Sequence, residues 1–236
     1  MKLARIASFV HKWLALLVGI QIVFWVVRGL FFTVFPIEQI RSEHLIRPPV
    51  AQAPNLAAFG DLGAIRDGQG RAPAKLTIEH RGDGDMIVAE FPQAPPVLFD
   101  AATLVPLSPL SAEAATQIAQ AHVVLNAAPE SVAWVSQENT EYRGVLPAWR
   151  VQFAEGGLSV YVSANTGAVT ARRSDLWRLY DTLWALHIMD WRNHEDFNHP
   201  LIILVTAITL LSVIAGIVLI PYRIRFGLPG GSKAQA

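Results

Sequence analysis

Seven histidines and no cysteine bound the chemistry open to this 236-residue chain. Without a thiol there is no disulfide, no covalently attached c-type haem, no thiolate zinc site and no cysteine-held iron–sulfur cluster. Any metal or haem must therefore be held by His, Met or carboxylate. His187, Asp190 and His194 fall at i, i+3 and i+7, one face of a helix, and such a set suits a divalent metal such as zinc, copper or iron. The competing reading joins them to Glu195, Asp196 and His199 in a hydrated cap over a membrane surface. His194-Glu195 opens no zinc-protease HExxH motif, because position 198 is Asn. A bis-imidazole haem needs two histidines on opposite faces of the porphyrin at similar depth. His187 with His199, or two copies of either across a dimer axis, meets that need, whereas His11 requires a mate from another chain. The competing reading makes these histidines helix-end anchors, since two helices leave little room for a porphyrin. No serine-nucleophile motif, phosphate-binding glycine loop or dinucleotide fingerprint occurs, and no concentrated basic patch suits nucleic acid.

The elements that must position these groups are membrane spans. The chain is 52% hydrophobic and 16% charged with a mean hydropathy of +0.34, too apolar for an ordinary soluble domain. Two apolar runs, 13–35 and 200–221, each match the roughly 20 residues that cross a bilayer as a helix. All 19 acidic residues lie between Glu38 and Asp196, a stretch of net −7; the remainder carries +7 and no acid. Six of its seven cations flank the two runs on their terminal sides, which predicts both ends, 1–12 and 222–236, in the cytoplasm. The first run is long and no small-x-small cleavage site follows it, so an uncleaved anchor is expected rather than a secretory signal. Ala15 with Gly19, and Ser212 with Gly216, are small-residue pairs four apart that would let the two helices approach closely. Arg28 is the odd residue of the first run, and no acid in either span neutralises it. Its remedies are snorkelling to the headgroups, an acid on a partner subunit, or the propionate of a bound haem.

Between the spans, 36–54 reads as a periplasmic tether, 55–173 as a folded domain and 174–199 as an amphipathic interfacial helix with its connector. The domain pattern predicts a short helix over Leu56–Ile65 and strands over Ala74–His80, Met86–Phe91 and Val97–Asp100. The first two strands are joined by the turn Gly82-Asp83-Gly84-Asp85. A helix capped by Ser111 then runs to about Leu125, followed by strands over Ser131–Gln137, Ala148–Ala154 and Leu158–Ser163. Gly156-Gly157 marks a hairpin, and Asn165-Thr166-Gly167 a tight turn into Ala168-Val169. The expected fold class is membrane α plus periplasmic α+β: two transmembrane helices flanking two divergent helix-plus-antiparallel-sheet repeats.

The run from Ser111 through Tyr142-Arg143-Gly144, Pro147-Ala148-Trp149-Arg150-Val151, Val160-Tyr161-Val162 and Asn165-Thr166-Gly167 resembles a PepSY domain. The flanks resemble the PepSY-associated transmembrane proteins: His11-Lys12-Trp13, Gly29-Leu30, Pro36-Ile37-Glu38 and Leu186-His187. The resemblance implies one of two roles. The first is an accessory or haem-bearing subunit of an electron-transfer or metal- or siderophore-reduction system in the bacterial inner membrane. Its possible cofactor is b-type haem, and its partner a redox subunit or a second copy within the lipid. The second is a membrane-tethered periplasmic module that restrains a peptidase or assists envelope-protein assembly. Such relatives usually have four or more spans, so two spans favour a site completed by another chain. A reporter that functions only in the cytoplasm is expected to be active when fused after Ala236; activity of a periplasm-only reporter there would reverse the topology.

Overall fold

The computed structural model describes residues 2–48, 52–81 and 84–223, and the chain divides into two units, 35–180 and the pair 1–34 with 181–236. The second of these holds both apolar helices. Helix α1 (Lys2–Val34) starts well before the expected Trp13, since nothing from Lys2 to Leu17 breaks a helix, and it stops where Pro36 restricts the residue before it. The short helix α2 (Ile37–Ile40) follows in the other unit. Helix α5 (Pro200–Arg223) starts at the predicted proline. At 1.5 Å per residue α1 is about 50 Å long and α5 about 36 Å, enough for a hydrocarbon core of about 30 Å. In the most apolar window of each of Ala4–Val34 and Pro200–Tyr222 only 11% of the residues are buried, which leaves an apolar face exposed on each helix.

What the two helices do bury follows a seam. Ala7, His11, Leu14, Val18, Gln21, Trp25 and Arg28 on α1 alternate in steps of four and three. So do Ile202, Val205, Thr209, Ser212, Gly216 and Leu219 on α5, and all are buried or half-buried. That 3.5-residue spacing is the seam of left-handed helix pairs. The close approach lies at Gly216, where a Cβ would stand 3.1 Å from the His11 ring, while one at Gly19 would meet nothing. His11 Nδ1 lies 2.8 Å from the Ser212 carbonyl and 3.3 Å from its hydroxyl, a polar clasp of the kind that helix pairs in lipid use. Counting along the antiparallel helices from this clasp puts Pro200 at about the level of Trp25, and Arg28 a turn beyond the start of α5.

The unit 35–180 carries two antiparallel sheets. In the first, β1 (Lys75–Arg81), β2 (Gly84–Phe91) and β3 (Ala94–Asp100) lie in chain order. In the second, β4 (Ser131–Val135), β5 (Ala148–Gln152), β6 (Ser159–Ser163) and β7 (Val169–Arg173) also lie in chain order, and α3 (Ala112–His122) packs on β4, β5 and β6. Ser111 caps α3 as predicted, its hydroxyl accepting from the Ala114 amide. The expected helix at Leu56–Ile65 is instead two single 3-10 turns, Leu56–Ala58 and Leu62–Ala64, interrupted by Gly60. The first sheet therefore has no helix of its own. Val88 and Leu98 of that sheet join Ala115, Val151, Phe153 and Val160 in one core, which makes the region a single domain. The supposed tether also contributes: Ile40 and Ser42 are buried, and Ile46 bridges Val123.

Strand β6 is buried on both faces. Leu158, Val160 and Val162 face the α3 core as their alternation predicts; Tyr161 faces a second, smaller core with Tyr142 and Ala148. The Tyr142 ring stacks on Tyr161 at 4.3 Å, and its hydroxyl donates to the Val145 carbonyl while meeting the Thr170 hydroxyl. Gly144 is glycine because a Cβ would strike the Tyr142 ring at 2.7 Å. Beside this stack, Glu141 accepts from Arg178 and from the Tyr161 hydroxyl. Burial pushes the Glu141 carboxyl up, but the hydrogen bonds and charge of Arg178 outweigh it and hold the group below its ordinary 4.5. A carboxylate with a depressed folded pKa stabilises the fold above its unfolded value and loses that contribution as pH falls through the folded one. Glu141→Gln is thus expected to destabilise the domain near neutral pH, with the gap to the parent closing below pH 4.5, as denaturant titrations across pH would show.

Candidate functional site

Helix α4 (Asp175–Ile188) begins in the domain unit, and its residues from Asp181 onward belong with α1 and α5. The last carbonyls of any helix lack partners along the helix and must find them elsewhere. Here α1 supplies them. Gln21 Nε2 donates to the carbonyls of Leu186 at 3.0 Å and His187 at 3.1 Å, and the Trp25 indole donates to His187 at 2.8 Å. His199 Nε2 lies 2.9 Å from the Ile188 carbonyl and serves the next one. The end of α4 is therefore fastened to both apolar helices through three side chains.

The connector folds back on this end. Asp190 accepts backbone N–H groups from Asn193, Asp196, Glu195 and Arg192, led by Asn193, and these hold its carboxyl far below the usual range against the opposing effect of burial. His194 Nδ1 lies 2.5 Å from Asp181 Oδ2, and the Trp184 indole donates to the His194 carbonyl at 2.9 Å. Met189 and His194 both take the left-handed backbone region, with φ of 61° and 62°, so the connector leaves the helix sharply. The consequence for the predicted metal set is direct. Helix α4 ends at Ile188, so Asp190 and His194 do not continue the face that His187 occupies. Asp190 is occupied by amides and His194 by Asp181. Among the described residues no group of three or more His, Asp or Glu converges on a common point.

His187 itself is placed differently. Its ring lies parallel to that of Trp184 at 6.1 Å and tilted against Trp25 at 5.9 Å. Nδ1 is sealed and meets no hydrogen-bond partner, whereas Nε2 remains open. Burial and the nearby charge of Arg28 lower the His187 pKa, so the ring is neutral near pH 7. The Arg28 guanidinium lies 4.4 Å from the Trp184 ring centre and 4.8 Å from that of Phe32, a cation held over aromatic faces at the end of the span. A groove of about 490 Å³ opens beside them, lined by Trp25, Trp184, His187, Ile188, Phe197, Ile202 and Thr206.

The haem expectation meets this geometry as follows. A bis-imidazole site needs two rings that each present a nitrogen. His187 lines the groove but lacks the carbonyl or carboxylate that a ligating histidine ordinarily holds on its other nitrogen. The Nε2 of His199 lies against the Ile188 carbonyl, and the Nδ1 of His11 is clasped to Ser212 midway along α5. His44 sits in the turn Glu43–Leu45 of the other unit. The residues the sequence reading missed are Gln21 and Trp25. A glutamine inside an otherwise apolar run is the signal that marks them, and Gln21, Trp25 and Arg28 share one helix face at i, i+4 and i+7.

The description that fits most of the chain is a family one: the model for the PepSY-associated TM region matches residues 9–235. No curated protein and no solved structure matches. Gln21→Leu keeps the helix apolar but strands the Leu186 carbonyl and leaves that of His187 to Trp25 alone, so amide exchange at the end of α4 is expected to rise several-fold while α3 keeps its protection. Unchanged exchange there would show that Gln21 does not hold α4.

Proposed function

Because this chain belongs to the PepSY-associated transmembrane family, we propose that it is an accessory subunit of an electron-transfer or metal- or siderophore-reduction system in the bacterial inner membrane. Its termini are cytoplasmic, and its 35–180 domain is periplasmic. The observation that carries this reading is the groove at the end of α4, where a neutral imidazole with an open nitrogen stands between two indoles beside a cation. Gln21 and Trp25 fix the ring through its own backbone carbonyl, and Arg28 adds positive potential where electron density would arrive. A b-type haem belongs to this picture at an interface, with a second imidazole from a partner subunit or another copy of the chain. When bound it would supply one-electron chemistry, and this chain would contribute one nitrogen.

A second reading has its own support. Strand β4 is a sheet edge, and among the described residues no chain segment hydrogen-bonds to its outer side. The other edges are defended: β1 by Lys75, Glu79 and Arg81, β7 by Arg172 and Arg173, and β3 by the segment around Pro106 and Leu107. Strand β4, Ser-Val-Ala-Trp-Val, carries no charge, and Trp134 is 46% exposed. Such an edge suits pairing with an extended segment of a peptidase or an envelope protein.

Two measurements separate the readings. Removing the chain from its host is expected to lower NADH-dependent ferric-chelate reduction by isolated membranes several-fold. Unchanged reduction overturns the electron-transfer role. A peptidase that copurifies with the full chain and is lost on Trp134→Asp establishes the second reading in its place.

A further inference from the structure

We infer that the groove beside His187 binds the ring of an isoprenoid quinone delivered from the bilayer. The inference rests on the electron-transfer reading for its purpose, but its chemistry comes from the groove itself. The walls are flat and apolar: Trp25, Trp184 and Phe197 supply rings, and Ile202 an aliphatic edge. No lining residue carries a formal charge once His187 is neutral. The volume, about 490 Å³, lies within the range of small-molecule sites.

The polar side chains of the lining are His187 and Thr206. In the tautomer that leaves the sealed Nδ1 bare, the Nε2–H of His187 donates to one quinone carbonyl, and the Thr206 hydroxyl is a donor for a second polar contact. The charge of Arg28 on the far side of Trp184 favours an electron-rich oxygen nearby.

The route of entry also points to a lipid-borne ring. Ile202 and Thr206 lie one turn apart near the start of α5, a helix that carries an exposed apolar face opposite its seam with α1. A ligand seated against them can leave its isoprenoid tail along the apolar surface of α5.

The test is a titration of the full detergent-purified chain with decylubiquinone, read by quenching of tryptophan emission from Trp25 and Trp184. Saturable quenching is expected. His187→Leu and Thr206→Trp, which remove a donor and fill the groove, should each weaken it at least tenfold, whereas His187→Gln, which keeps a side-chain N–H, should lose only a few-fold. Trp134→Phe, outside the groove, should bind as the parent does. Equal quenching in every variant would mean partition into detergent and would overturn the inference. A His187-dependent Soret band with added haemin that decylubiquinone cannot displace would overturn it as well. Loss of quinone binding leaves the deletion measurement in membranes untouched, so the two readings fall separately.

Discussion

The last carbonyls of a helix lack partners along it, and this chain meets that constraint at the end of α4 with side chains from elsewhere. Each such group left without a donor costs about 1–3 kcal/mol, and lipid offers no substitute. Gln21 and Trp25 satisfy the carbonyls of Leu186 and His187 from α1, and His199 satisfies that of Ile188 from the threshold of α5. The connector is then obliged to turn sharply at Met189 and return to His199 within a few residues. That explains the left-handed backbone at Met189 and His194 and the use of one carboxylate, Asp190, to gather four amides. The groove is the space left when two tryptophans are committed by their N–H groups, Trp25 to His187 and Trp184 to His194, and cannot swing to fill it.

In the domain, the residues that carry the family resemblance turn out to be architectural. Tyr142 and Gly144 form a ring packed over its own chain, Tyr161 is the partner in the stack, and Trp149 donates its indole N–H to the Leu110 carbonyl. Gly167 adopts φ of 66° in the turn after β6, and a Cβ there would strike Arg81, whose guanidinium bonds the Thr166 carbonyl. These features fix a central strand covered on both faces. They explain why the motif keeps its order along the chain, and they place no nucleophile, base or metal ligand together. The residues of the signature thus specify a scaffold.

Much of the architecture was legible because it rests on local rules. The spans followed from apolar length, α3 from its serine cap, and the strand pairs from alternation and glycine turns. The helix at Leu56–Ile65 was misread because its apolar residues have helical spacing while Gly60 and Gly63 deny it a continuous hydrogen-bond ladder. The burial of Tyr161, Ser159 and Ser163 was invisible because a loop, 136–147, covers that face of β6, and alternation says nothing of loops. Gln21 was overlooked because attention fell on charge. A neutral amide in a span costs less than Arg28 does, yet it makes two of the bonds on which the end of α4 depends.

The fate of the histidines shows why spacing is weak evidence for a ligand set. His187, Asp190 and His194 share a face only if the helix continues, and Ile188 ends it. Beyond that point each group answers to its nearest unsatisfied neighbour: Asp190 to amides, His194 to Asp181, His199 to a carbonyl. A histidine paired in this way has committed one of its two ring nitrogens to the fold. His187 is the exception because its carbonyl, not its ring, is what the fold uses. The backbone of this residue is held by Gln21 and Trp25, which frees the imidazole from any structural duty and leaves it oriented, neutral and open on one side.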